Sequence, residues 1–174
     1  MSLAVRTISR EGVEVIRFNP VAMVMVLLLS LWLQTTLPVR FPRMAYFDLP
    51  LLATIFFSVA RRNQIAGTVT GCLMGLLQDA FTHQPLGLFG IAKSVVGYAA
   101  SSIGVKVDVE NPASRLILTF GFGLLHGVIV QWVGRGLAQL PLHWGWSEEF
   151  GSALVNAMLA VVLFHFLDKL KQRR

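Results

Sequence analysis

The sequence predicts an all-α integral membrane protein: a bundle of six transmembrane helices with both termini in the cytoplasm. Three observations predict it. The 174 residues are 55% hydrophobic and only 14% charged, where a soluble domain carries about 25% charge. The apolar residues gather into six segments separated by short polar links. The basic residues concentrate in alternate links, as topology signals do.

The first segment runs from about Pro20 to Leu37, with Pro20 suited to a helix start. Arg6, Arg10 and Arg17 precede it, but no small-residue cleavage site follows, so it is expected to remain as a span. The second segment, about Asp48 to Ala60, is short against the roughly 20 residues of a full crossing. It crosses by recruiting Met44 to Phe47 or by thinning the bilayer, or it is re-entrant; the charge count favours a crossing. The third segment is Gln64 to Phe81, the fourth Leu86 to Val105, the fifth Arg115 to Leu140 and the sixth Phe150 to Leu167. Residues 1–19 make a cytoplasmic N-terminal segment, 20–167 the six spans and 168–174 a basic tail, in one membrane domain. Leu3 to Phe18 form either an interfacial helix or a small hairpin around Glu11-Gly12.

With the N-terminus inside, Arg6, Arg10, Arg17, Arg61, Arg62, Lys106, Arg115, Lys169, Lys171, Arg173 and Arg174 are cytoplasmic. Only Arg40, Arg43 and Arg135 lie outside, and Lys93 falls within a span. Trp144, Trp146, Tyr46 and Trp32 then fall at or near the outer interface as an aromatic belt. The same distribution argues against nucleic acid, despite a net charge of +6: no basic stripe has aromatics interleaved for stacking. The single Cys72 cannot form an intrachain disulfide, and no Cys/His cluster suggests a metal. No sequence feature calls for a cofactor. The loops are too short to form a binding domain, so any partner must meet the helices themselves.

Gly67, Gly71, Gly75 and Asp79 fall four residues apart and form one ridge on the third helix. Glycines let a neighbouring backbone come close. The ridge packs either inside the bundle or against another chain. Lys93, Gly97 and Ser101 make an answering ridge on the fourth helix, so the two spans are expected to form a tight hairpin at the centre of the bundle. Helical side chains lean toward their own N-terminus. Asp79 and Lys93 therefore lean toward each other, and a direct ion pair between them is expected near the outer third. That pair either locks the hairpin or faces a partner or ligand; the alternative is separate solvation of each group. His126 in the fifth span bonds a carbonyl or a hydroxyl such as Thr119 or Ser102, or serves a proton relay. Asn156 in the sixth span is expected to join helices. His83 is a loop residue without an evident partner. No paired intramembrane carboxylates, HExxH, GxSxG or phosphate loop suggest catalysis.

Residues 67–101 read GTVTGCLMGLLQDAFTHQPLGLFGIAKSVVGYAAS. A glycine-stepped helix, then GLLQD, a short loop with PLG, and G-x-x-K-x-x-x-G-Y resemble the rod shape-determining membrane protein family MreD. The resemblance in length, span count and topology covers nearly the whole chain. It implies a multi-pass protein of the bacterial inner membrane without chemistry of its own. It implies binding to MreC, a single-span periplasmic scaffold, and indirect linkage to MreB, to RodA and to the transpeptidase partner of RodA, alongside membrane lipid. The family is in turn similar to the six-helix substrate-binding subunits of energy-coupling-factor vitamin transporters. This gives a second function class, a small-molecule-binding subunit. The first segment lacks the alanine-x-x-x-alanine docking surface of those subunits, and the outer loops are short for a lid; both departures favour a scaffold. A channel, the third class, would place Asp79, Lys93 and His126 at successive depths, but two of them crowd the outer third.

Overall fold

The structure, a computed structural model, describes residues 17–105, 107, 111–141 and 145–172. Residues 3–16 of the N-terminal segment, together with Lys106, Asp108, Trp144, Arg173 and Arg174, lie outside the described residues. The described chain forms six α-helices: α1 (Pro20–Arg40), α2 (Leu49–Arg61), α3 (Gln64–Thr82), α4 (Leu88–Gly104), α5 (Pro112–Gly136) and α6 (Trp146–Leu167). Among the described residues, four stretches are long and apolar enough to cross a membrane by length and composition: Pro20–Arg40, Pro42–Arg61, Pro112–Gly136 and Trp146–Leu170. Helix α3 carries Gln64, Thr68, Thr70, Gln78 and Asp79 among its apolar residues, and α4 has only 17 residues.

Local chemistry sets most of the helix starts. Asn19, Asp48, Asn63 and Asn111 each accept a hydrogen bond from a backbone N–H in the first turn of the helix that follows, supplying an acceptor for donors that have no partner within the helix. Pro20 and Pro112 occupy first-turn positions, where a missing N–H costs nothing. Glu148 and Glu149 lie in the first turn of α6, favourably placed against its dipole. Arg62 (φ 52°) and His83 (φ 55°) end α2 and α3 in the left-handed conformation. The fourth helix starts at Leu88, two residues later than the apolar pattern suggests, because Gly87 turns the chain at φ 102°, a conformation that glycine takes readily.

The short second segment is extended by a 3-10 turn at Pro42–Tyr46, which brings the whole stretch to 20 residues. Helix α2, not the α3–α4 hairpin, occupies the centre. Pro50 through Ala60 are all buried, and α2 touches each of the other five helices. The reason is composition. Leu, Ala, Ile, Phe and Val surround this helix on every side, interrupted only by Thr54 and Ser58, and a helix apolar all round packs inside. Phe56 meets Phe164 of α6 at 5.2 Å between ring centroids. By contrast α1 fully buries only Leu27, Ser30 and Leu31; Met23, Val26 and Gln34 are half-buried, and about half of the helix is exposed.

Helices α3 and α4 pack antiparallel along the glycine ridge. A Cβ placed on Gly67, Gly71 or Gly75 would collide with the backbone carbonyl oxygens of Gly97, Lys93 and Phe89 respectively. The matched four-residue steps show one continuous line of backbone contact within the chain. Residues 17–18 and 171–172 form a short antiparallel ladder, Arg17 opposite Gln172 and Phe18 opposite Lys171. The two ends of the helical region therefore meet on one side, which requires an even number of crossings between them. That side also carries Arg61, Arg62, Arg115 and Lys169; we refer to it as the basic end and to the opposite end as the outer end.

Candidate functional site

The polar groups of the outer end converge on the start of α2. Asp48 caps that helix, its Oδ1 accepting from the Leu51 N–H at 2.9 Å. Its other oxygen, Oδ2, lies 2.5 Å from Lys93 Nζ of α4. Lys93 is 0% exposed. A buried ammonium needs an anionic partner, because an isolated charge is costly in a low-dielectric interior. His126 of α5 brings Nε2 to 3.5 Å from Lys93 Nζ and 3.8 Å from Asp48 Oδ2. Its ring stacks on Phe89, one turn before Lys93, with centroids 5.9 Å apart. The Lys93 ammonium also lies 5.5 Å from the centre of the Phe89 ring, within range of a cation–π attraction.

Two amides complete the cluster. Asn156 of α6 accepts from the Asp48 N–H through Oδ1 at 2.9 Å and donates through Nδ2 to the Tyr46 and Ser152 carbonyls at 2.8 and 2.9 Å. Gln34 of α1 donates to the Phe47 carbonyl and accepts from the Leu49 N–H. The backbone of residues 46–49 is thereby fixed by α1 and α6, and the Asp48 side chain by α4. Helices α1, α2, α4, α5 and α6 all contribute to one outer-end polar knot.

Asp79 belongs to a separate arrangement. Its carboxylate accepts from the Gly87, Phe89 and Gly90 N–H groups at 2.8, 2.9 and 3.3 Å. Gly87 has no side chain to cap α4, so Asp79 supplies the cap from the preceding helix. A carboxylate at a helix N-terminus is stabilised by both the exposed N–H groups and the dipole.

The direct Asp79–Lys93 pair expected from side-chain direction is therefore replaced by two separate attachments. The lean inferred for Asp79, toward its own N-terminus and so toward Lys93, is overridden: the unpaired N–H groups at the start of α4 take up its carboxylate. Lys93 lies deeper and reaches across to α2. The expected His126 bond to Thr119 or Ser102 is not formed. Ser102 Oγ donates to the Tyr98 carbonyl and accepts from Gln64, and Thr119 Oγ1 has no hydrogen-bond partner among the described residues. Gly67, Gly71, Gly75 and Gly97 lie along the α3–α4 seam. Asp48 is the residue that the sequence reading missed. Its signal was available: a carboxylate at the start of one apolar segment, and a lone lysine in another at comparable depth, with no nearer counter-ion on either helix. Among the described residues no group of three or more His, Cys, Asp or Glu side chains could hold a metal ion.

The fold, the glycine seam and the outer-end cluster can be set beside known proteins. The family model described as rod shape-determining protein MreD matches residues 16–174, nearly the whole chain. No curated protein and no solved structure matches. With the match running from the strand before α1 through α6 to the last residue, the chain belongs to the MreD family and takes part in rod-shape determination.

Proposed function

We propose that the protein is a non-catalytic scaffold of the cell-elongation complex in the bacterial inner membrane, where it holds MreC and helps position peptidoglycan synthesis. All six helices cross in this reading. Helices α3 and α4 rise about 28 and 25 Å at 1.5 Å per residue, close to the roughly 30 Å hydrocarbon core. MreB, RodA and its transpeptidase partner are linked to the protein through MreC. The family match supports the setting. One structural observation supports a scaffold over a relay or a carrier: Asp48, Asp79 and Lys93, the charged groups inside the bundle at the outer end, are engaged in joining helices. Asp79 ties α3 to the start of α4, and Asp48 with Lys93 ties α2 to α4. Such a knot gives an outer surface of fixed shape for a partner whose bulk is periplasmic.

Affinity purification from the native bacterium in mild detergent, followed by native mass spectrometry, tests this proposal. MreC is expected to co-purify at fixed stoichiometry. Recovery without MreC, but with a bound compound of a few hundred daltons, would replace the scaffold with a small-molecule-binding subunit of the vitamin-transporter kind.

A further inference from the structure

One side of the α3–α4 hairpin faces away from the rest of the bundle. The inner side sends Met74 of α3 and Val96 and Ala100 of α4 into the core. At about 100° per residue, Thr68 and Cys72 of α3 and Ser94 and Tyr98 of α4 project from the opposite side. Thr68, Cys72 and Ser94 are half-buried, while Ile91 and Val95 beside them are exposed. Together they line a shallow groove along the lipid side of the glycine seam. In the run G-x-x-K-x-x-x-G-Y, the first three named residues are used inside the chain. Gly90 meets Asp79, Lys93 meets Asp48 and Gly97 meets Gly67. Tyr98 is not: it is 52% exposed, and its hydroxyl has no hydrogen-bond partner among the described residues. Its depth is unusual too. Helix α4 has 17 residues, so its midpoint falls at Val96 and Tyr98 lies about 3 Å past it. Helical side chains lean toward their own N-terminus, which carries the phenol back toward that midpoint.

We propose that this groove docks the transmembrane helix of a single-span partner, with the Tyr98 hydroxyl donating to a Ser, Thr, Asn or Gln side chain near the middle of that helix. The inference rests on the function proposed above, in which all six helices cross and the single-span partner is MreC. Depth carries the assignment to protein. At the middle of the bilayer the ester and headgroup oxygens of lipid are about 15 Å away, half the hydrocarbon thickness, and there is no water. Only another helix brings a polar side chain to that depth, and such side chains join membrane helices by hydrogen bonds. The groove is complementary to one. Tyr98 offers a donor, and the Thr68 and Ser94 hydroxyls, which donate to the Gln64 and Gly90 carbonyls, keep lone pairs to accept from the partner. Tyr46, the other tyrosine of the chain, lies at the outer end, where an interfacial phenol is ordinary.

Site-specific photo-cross-linking of the full-length protein in cells tests the proposal. A benzophenone amino acid would replace Cys72 or Val95, which flank Tyr98 in the groove, or Met25, Ile117 or Met158 on the exposed faces of α1, α5 and α6. Cross-links to MreC are expected from positions 72 and 95 and not from the other three. With the cross-linker at position 95, Tyr98→Phe should lower the yield about threefold, as for one interhelical hydrogen bond in a membrane. Its membrane level should not change, because the hydroxyl bonds nothing within the chain. Cross-links to MreC from positions 25, 117 or 158 instead would overturn the groove and leave the scaffold reading in place. A second copy of this chain as the product at positions 72 and 95 would overturn it as well, and an unchanged yield in Tyr98→Phe would overturn the role of the hydroxyl. Co-purification of MreC, the test given above, separates the two readings. MreC that co-purifies but forms no cross-link from the groove rejects the groove alone, whereas loss of both rejects the scaffold.

Discussion

Gly71→Leu is expected to abolish accumulation of the protein in the membrane. The ideal Cβ of this residue would overlap the Lys93 carbonyl oxygen and lie 2.6 Å from the Lys93 carbonyl carbon. Both are backbone atoms of a buried helix, so no side-chain rotation relieves the overlap. Helices α3 and α4 would have to separate along the entire seam, because Gly67 and Gly75 make equivalent approaches to Gly97 and Phe89 on either side. Forcing extra carbons into a packed interior costs about 1–3 kcal/mol and at times more. Here the displacement would also pull Lys93 from Asp48. Gly121→Leu is the matched control: nothing lies within 4 Å of its added Cβ, and near-normal levels are expected. Quantitative immunoblotting of membranes compares the two. Normal accumulation of the Gly71 variant would mean that the seam can open, contrary to the packing described.

Lys93→Met is expected to destabilise the protein by about 3–5 kcal/mol, the cost of leaving one member of a buried ion pair without its partner. Asp48→Asn keeps an oxygen to cap α2 but leaves the Lys93 ammonium unmatched, so a loss of similar order is expected. Combining the two should recover most of the stability, since two neutral groups of similar volume then face each other. Asp79→Ala removes the acceptor of three N–H groups and should be additive with Lys93→Met, because no direct contact joins the two residues. Denaturant unfolding in mixed micelles measures the coupling. Additive losses for Asp48 and Lys93, or recovery when Asp79 and Lys93 are changed together, would return the pairing to the one that side-chain direction alone suggests.

The contrast between these two pairings shows where the sequence was sufficient. Repeats of four along a helix are visible in one dimension, and Gly67, Gly71 and Gly75 mark the place where another backbone comes close. Charged residues at the ends of apolar runs likewise mark the basic end, where Arg61, Arg62 and Arg115 lie. A side chain's depth in a helix is also legible, and it places Asp79 and Lys93 in the outer part of the bundle. Depth does not say which neighbour lies beside it. The position of Lys93 opposite Asp48 follows from α2 standing between α4 and α6, and α2 takes that place because it is apolar around its whole circumference. In the sequence the same pattern is a segment shorter than a full crossing. Its 3-10 extension at Pro42–Tyr46 and the Asn156 and Gln34 bonds that hold it are tertiary features without a local signature. The role of Asp79 combines both kinds of information. A loop of four residues before Gly87 puts the unpaired start of α4 within reach of the last turn of α3, and that proximity outcompetes the more distant lysine.

In the function proposed here, α3 and α4 cross the membrane as a pair, and Asp48, Asp79, Lys93 and His126 then gather at the periplasmic end. Labelling with a membrane-impermeant thiol reagent tests this directly. In a Cys72→Ser background, single cysteines would replace Asn63, in the turn before α3, and Gln84, in the turn before α4. Both residues are exposed. The account predicts that intact cells label position 84 and not position 63, while lysed cells label both. Labelling of neither position in intact cells, with both labelled after lysis, would place the α3–α4 turn in the cytoplasm and contradict the crossing.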